Sequence, residues 1–232
     1  MNADVTITDL SPTARVVIGP PPERGEIDQE KVDRVWDELC ASNPKYHNGA
    51  ILGYDSHEGN TIHAHVDEYK RHATRESANT WVDILSVTCL LTCGEGPGMR
   101  AMLGLRATNT HRYGDLWEFG PAGGVDAPES RTELNAQDLI EEARREAREE
   151  TGLDLSTTHG EVSALLIDHK VGSADIIVRM NLREMPAPST NWEYKAVRWC
   201  TKPELRAWSD ERPHSLIPPA IAIIDWLCPK PG

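Results

Sequence analysis

No apolar run in this sequence approaches the roughly 18 residues that a membrane-crossing helix needs, so no membrane-spanning segment is expected. Positive charge is in short supply. The 24 Lys and Arg residues stand against 37 Asp and Glu, a formal net charge of -13. A field of that sign repels phosphate backbones, which argues against nucleic acid as a partner. A small anionic substrate remains possible where metal ions or local arginines neutralise it. Cysteine is sparse and odd in number: Cys40, Cys89, Cys93, Cys200 and Cys228. No pair repeats at zinc-site spacing. Cys89 and Cys93 fall in an apolar strand-like run where core packing explains them, and all five are read as reduced thiols of a cytoplasmic protein. The first residues lack a basic start followed by an apolar core, so no secretory signal is expected. Internal repeats and long low-complexity tracts are lacking too.

What is present is ordinary globular material: 39% hydrophobic and 26% charged over 232 residues. That suffices for a buried core in one large domain, or in a domain with an extension. Residues 18–27, rich in Pro and Gly, read as a connector. Asp28 can cap a helix over residues 29–41, with Val32, Val35, Trp36 and Leu39 on one face. Residues 43–73 read as a strand, a turn near His57-Glu58-Gly59-Asn60, a second strand and a short helix. Histidines gather here, at His47, His57, His63, His65 and His72. His63 and His65 alternate along a strand and can face one side. A metal site is conceivable there, but solvated polar positions are the expectation. Residues 81–93 form a buried strand and 100–107 its hairpin partner. The strongest helix covers 134–151. Strands follow at 162–170, 174–182 and 196–200, then a short helix at 202–208 and a proline-started helix at 217–228.

The chemistry concentrates in residues 145–153, REAREETGL, at the end of a helix that Gly152 stops. At 3.6 residues per turn, Glu142, Glu146, Glu149 and Glu150 share an arc about a quarter-turn wide. Ala136, Leu139, Ile140, Ala143 and Ala147 form the adjacent apolar stripe that docks on a sheet. Like charges three and four residues apart repel, and Arg145 relieves part of this by pairing with Glu149. The remaining charge suits hard divalent cations, Mg²⁺ or Mn²⁺, whose sites are often completed by substrate phosphates. A solvated acidic helix face is the plain alternative. The turn PAGGV just upstream weighs against it, because glycine lets backbone approach a metal or phosphate closely.

This constellation resembles the Nudix hydrolase family. The family box is Gly, five residues, Glu, seven residues, then Arg-Glu-aliphatic-x-Glu-Glu-x-Gly-aliphatic. Its second half is matched by Arg145, Glu146, Ala147, Glu149, Glu150, Gly152 and Leu153. The first half departs: Gly124 and Arg145 are 21 positions apart where the box has 14, so seven are extra. Seven residues are about two helical turns, with a drift of only ~20°. An insertion within the helix would therefore keep the carboxylates in phase. It is expected around residues 130–137, with Ser130 as cap, Glu133 three residues on, and the helix beginning near Arg131. The first box Glu has no counterpart at its counted positions, Ser130 or Gln137, and Glu129 is the nearest equivalent.

The resemblance covers roughly residues 81–228. It implies an α/β/α sandwich with a mixed sheet over residues 81–232, preceded by an N-terminal α+β extension over 1–80. By the same resemblance Glu146, Glu149 and Glu150 bind the metals and carry catalysis. The Gly123 carbonyl and Glu129 add ligands, and Arg145 is structural. Glu193 is a candidate ligand or general base, and Asp168 and Asp175 compete with it. Arg106 and Arg112 are candidate phosphate grips, a surface ion pair being the alternative for Arg112. Trp117 either touches a base or packs beside the glycine turn.

Two N-terminal stretches, NPKYHNG and YKRHA, resemble the extension of the UDP-glucose diphosphatase branch. The implied function is metal-dependent hydrolysis of the diphosphate of a nucleoside diphosphate joined to another group, a nucleotide sugar first. ADP-ribose and non-nucleotide diphosphates such as an isoprenoid stand behind it. A non-catalytic module that senses nucleotides is the reading from another class. Such modules usually lose box glutamates, whereas REAREE keeps all three. The expected partners are a small-molecule diphosphate and Mg²⁺ or Mn²⁺, with a homodimer possible.

Overall fold

The computed structural model describes residues 4–23, 25–108, 110, 112–187 and 193–230. The chain opens with strands β1 (Val5–Asp9) and β2 (Arg15–Gly19), then helix α1 (Gln29–Ser42). A hairpin of β3 (Ala50–Glu58) and β4 (Thr61–Glu68) leads into two short helices, α2 (Tyr69–Ala73) and α3 (Arg75–Ala78). Strands β5 (Asp83–Cys93), β6 (Arg100–Arg106), β7 (Trp117–Phe119), β8 (Ala122–Gly124) and β9 (Glu133–Leu134) precede helix α4 (Ala136–Thr151). Strands β10 (Gly160–Asp168), β11 (Ser173–Leu182) and β12 (Tyr194–Thr201) lead to helices α5 (Lys202–Glu211) and α6 (Pro218–Leu227).

The strands join one mixed, 12-stranded sheet. β5 lies inside it and is buried on both faces, with Leu85, Val87, Cys89 and Leu91 on one and Ser86, Thr88, Leu90 and Thr92 on the other. One edge of β5 pairs with β11 in parallel, from Ile84 opposite Ser173 to Cys93 opposite Leu182. The other edge serves three antiparallel partners in turn. β3 pairs at Asp83 and Ile84, β8 at Ser86 to Thr88, and β6 at Thr92 and Cys93. Beyond that point β7 takes the place of β5 beside β6, whose other edge pairs with β12 from Arg100 to Arg106.

Helices cover both faces. Leu85, Val87, Cys89 and Leu91 of β5 share a core cluster with Leu139, Ile140, Ala143 and Ala147 of α4. Leu90 points the other way, into a cluster with Ile177 of β11 and Ala220, Ile223 and Ile224 of α6. Burying a side chain of this size contributes about 1.5–3 kcal/mol relative to exposure. The result is the expected α/β/α sandwich. Strands β1 and β2 are not anticipated by the sequence pattern. β1 extends the sheet beside β10, and β2 runs into the residues read as a connector and pairs with β4 and β9.

Helix α4 begins later than expected. Its cap is Asn135, not Ser130. The Asn135 Oδ1 accepts from the Gln137 and Asp138 amides at 2.8 and 3.4 Å, and Asp138 Oδ2 accepts from the Asn135 amide at 2.8 Å. This reciprocal box competes better than Ser130 because β9 fixes residues 133–134 in extended form first. Glu133 and Leu134 pair with Val17 and Val16 of β2, and Ile18 donates to the Thr132 carbonyl at 2.8 Å. The extra residues therefore build a loop and a short strand rather than two helical turns. The helix is unbroken to Gly152, which caps it at φ 70°.

His65 is also not a solvated strand position. It is fully buried, its Nδ1 lying 2.9 Å from Asp55 and its Nε2 3.3 Å from Asp67. On the α6 side of the sheet, Ser86, Thr88, Ser173 and Asp175 line a cavity of about 170 Å³. Asp175 accepts from Ser173 Oγ at 2.9 Å and from Thr88 Oγ1 at 3.5 Å. Burial pushes its carboxyl up from 3.8 to about 6.

Two outcomes are expected. Asn135→Ala removes the cap and lowers stability by about 1 kcal/mol, a fall in Tm of about 2–4 °C for a chain of this size. Asn135→Asp keeps Tm near the native value, and equal Tm values for all three proteins would contradict the capping role. For Asp175 the folded carboxyl holds its proton at a pH where the unfolded one has lost it. Its share of stability is therefore present below pH 3.8 and is lost as pH rises through about 6. Between those limits wild type should lose about 3 kcal/mol relative to Asp175→Asn, at about 1.36 kcal/mol for each pH step of one. Urea unfolding at several pH values measures this, and parallel profiles would show that Asp175 is not held protonated.

Candidate active site

Glu146 and Glu150, in the last two turns of α4, turn toward β8. Glu146 lies so close to Gly123 that a Cβ there would overlap its carboxyl group, which explains the glycine. Burial pushes the Glu146 carboxyl up to about 7, against the pull of Arg145 at 2.7 Å. Glu150 sits one turn on, buried, and accepts from the Ala122 amide at 3.2 Å. The Glu193 carboxyl, just before β12, is a close neighbour that acts on it. Burial first, then that contact and the Glu193 charge, raise the Glu150 pKa well above the carboxylate range. Two carboxyl groups in such contact favour one shared proton or a cation between them.

Arg145 is the local counter-charge. It reaches Glu142 at 2.8 Å, Glu149 at 3.1 Å, Asp126 at 3.6 Å and the Gly124 carbonyl at 3.4 Å. Glu149 thereby stays at the exposed edge, its side chain 59% accessible. Of the four carboxylates on the arc, Glu146 and Glu150 turn into the cleft and Glu149 does not line it.

The cleft has a volume of about 400 Å³ and is also lined by Arg106, Glu118, Gly123 and Glu193. Arg106 donates to Glu118 at 2.5 Å, and Glu118 accepts from the Tyr194 hydroxyl at 3.0 Å. The Tyr194 ring lies against Gly104 and its hydroxyl against Gly120, too close to admit a Cβ at either. Glu118 and Tyr194 do not stand out in the sequence. The available signals are a carboxylate between two aromatic residues in WEF and a tyrosine directly after Glu193.

Other candidates lie elsewhere. Glu129 is exposed in the loop before β9, outside the cleft. The loop does not carry it back to β8, because the extra residues run to β2 instead. Arg112 pairs with Glu76 at 3.3 Å and lines the smaller cavity. Trp117 packs edge-on against Trp208, with centroids 5.1 Å apart. Asp175 occupies the α6 face, and Asp168 accepts from the Tyr113 hydroxyl at 2.8 Å. Of the three competing carboxylates, Glu193 is the one beside Glu150.

Among the described residues no group of three Asp, Glu, His or Cys side chains is disposed to hold a metal ion. The donor set still fits a hard divalent cation. It is all oxygen, the Glu150–Glu193 contact is relieved by positive charge, and Mg²⁺ usually takes only one or two carboxylates with substrate phosphates completing its shell.

No family model matches this chain, and no curated protein matches it. Solved structures do. The chain is similar to the crystal structure of a NUDIX hydrolase from Alicyclobacillus acidocaldarius, with a TM-score of 0.50 at 12% identity over 65% of this chain and 93% of that one. Looser likenesses are the Nudix hydrolase RenU from M. smegmatis, with a TM-score of 0.43 at 20% identity over 62% and 83% of the two chains. A MutT protein from Methanosarcina mazei gives a TM-score of 0.41 at 18% identity over 63% and 96%. The fold of this chain is that of the Nudix hydrolases.

Proposed function

We propose that this protein is a metal-dependent hydrolase of the diphosphate linkage in a nucleoside diphosphate joined to another group, a nucleotide sugar. The observation that carries the reading is that Glu150 and its neighbour Glu193 line one cleft with Arg106 and with Glu146, which is packed on Gly123. Retention of these carboxylates in a lined cleft favours catalysis over nucleotide sensing alone. The nucleotide sugar rests on the likeness of residues 43–49 and 69–73 to the UDP-glucose diphosphatase extension.

Glu150 and Glu193 would hold Mg²⁺ or Mn²⁺ with substrate phosphate completing the shell, and Glu146 and the Gly123 carbonyl are beside them. When bound, the cation neutralises phosphate charge and makes water more acidic. Glu149 remains with Arg145 and steadies the helix end. The Ala122 amide fixes Glu150 through its hydrogen bond. Glu193 would accept the proton of the attacking water. Arg106, braced by Glu118, offers donors to a phosphate oxygen. Water adds to one phosphorus, the bridging P–O bond breaks, and a nucleoside monophosphate and a phosphorylated group leave.

A panel of diphosphates read by phosphate release, with added phosphatase, tests the activity. Excess EDTA should abolish turnover and Mg²⁺ restore it. Full activity in EDTA would refute the metal requirement. Glu150→Gln and Glu193→Gln should each lower kcat by about a hundredfold or more, the scale of losing a group that handles the proton. Glu149→Gln should cost much less. In metal-free protein Glu150→Gln should raise Tm, because it relieves the buried repulsion. Near-native kcat in both cleft variants would sink the assignment.

A further inference from the structure

The cleft has a second wall, built entirely from residues 43–69. Helix α1 ends at Asn43, whose amide donates to the Leu39 carbonyl at 3.0 Å while its Oδ1 accepts from the Lys45 amide at 3.1 Å. The loop's far end is clamped as firmly. Asn48 donates to Glu68 Oε2 at 2.8 Å and accepts from the Lys70 amide at 2.9 Å. The Tyr69 amide donates to the Gly49 carbonyl at 2.9 Å. From behind, Trp36 of α1 lies 6.2 Å from the Tyr46 ring and 6.1 Å from Tyr69, edge-on to the latter at 83°.

Asn43, Asn48 and Gly49 shape the loop by their hydrogen bonds. Lys45, Tyr46 and His47 line the cleft, together with Asn43, Gly49 and Tyr69. A loop that served only to connect α1 with β3 would not need two clamps to hold a lysine, a histidine and an aromatic ring beside a cavity. The same cleft is lined by Glu146, Glu150 and Glu193. One wall therefore takes a cation and its phosphates. The other offers aromatic surface with basic donors beside it, in a chain whose net charge is -13. A planar heteroaromatic ring attached through hydroxyl-bearing sugar to phosphate matches both walls. An isoprenoid chain would gain nothing from Lys45 and His47. A cleft of about 400 Å³ lies within the size range of small-molecule sites.

We propose that Lys45, Tyr46, His47 and Tyr69 form the nucleoside-recognition wall of this site, with the base against the Tyr46 ring. The proposal rests on the diphosphate hydrolase reading and adds to it the element that selects nucleoside diphosphates over other diphosphates. It gives the N-terminal extension, residues 1–80, a direct part in specificity.

Calorimetric binding of three probes in the presence of Mg²⁺ tests it: UDP, ADP and inorganic imidodiphosphate, which has the diphosphate-like group but no nucleoside. Wild type should bind UDP or ADP more tightly than imidodiphosphate. Tyr46→Ala should weaken the preferred nucleotide about tenfold, the scale of losing one base stack, and leave imidodiphosphate within about twofold. Tyr46→Phe, which keeps the ring, should restore nucleotide binding. Unchanged nucleotide affinity in Tyr46→Ala overturns the wall. Equal affinity of wild type for all three probes overturns it too, while the diphosphate site survives. Failure of wild type to bind any probe overturns the hydrolase reading and this proposal with it.

Discussion

One strand edge with three claimants shapes this molecule. Along β5, β3 holds the first residues, β8 the middle and β6 the end. Strands that share an edge in succession cannot run side by side, so β3 and β6 diverge with the short β8 between them. The gap they leave is the cleft. Its floor is the glycine-rich β8, thin enough for Glu146 to pack directly on Gly123. The continuous parallel ladder between β5 and β11 on the other side keeps β5 straight while its near edge is broken up. Fold and site thus follow from the same pairing.

The electrostatics follow from that packing. α4 docks through a wholly apolar stripe, and the phase of the helix then fixes which glutamates turn inward. Glu146 and Glu150 are carried toward β8, and Glu149 to the solvent edge. Burial of acidic groups in an acidic chain opposes folding, and the pKa directions of Glu146 and Glu150 both record it. Arg145 offsets part of the cost by touching Glu142, Glu146, Glu149 and Asp126. Two carboxyl groups held against each other inside a cleft, as Glu150 and Glu193 are, have no structural use, since an apolar pair of similar size would stabilise the core better. Positive charge from outside the chain is the natural complement.

Much of this was legible in the residues. The helix stripe and the acidic arc of α4 are periodic signals, and the structure keeps their phase. The strands of residues 81–107 and 162–200 are apolar runs with clear stops. Other features depended on partners far along the chain. β1 and β2 are short and find their ladders with β10, β4 and β9, which no local pattern encodes. The start of α4 moved because β9 holds residues 133–134 extended, leaving Asn135 as the first residue free to cap. His65 reads as polar and exposed in the strand alternation, yet Asp55 and Asp67 close over it from both sides. In the site, Glu193 could not be separated from Asp168 and Asp175 by sequence, because all three sit at strand ends and only the tertiary fold decides which end meets α4. Glu118 was hidden for the same reason: its partners Arg106 and Tyr194 come from β6 and β12.

The seven extra residues ahead of α4 do not lengthen the helix. They reach across to β2, and β2 pairs with β4, which pairs with β3. β3 in turn emerges from the loop that carries Lys45, Tyr46 and His47. A continuous hydrogen-bonded path therefore runs from that loop through β3, β4, β2 and β9 into the first turn of α4, while α4 packs back on β5 beside β3. The two walls of the cleft are the two ends of one closed circuit. A helix held only at its apolar stripe can slide along its groove by a fraction of a turn. A helix whose first residue is also tied to the opposite wall cannot do so without breaking β9 from β2. The insertion thus fixes the distance between the carboxylates and the aromatic wall, and that distance determines which molecules can span from one to the other.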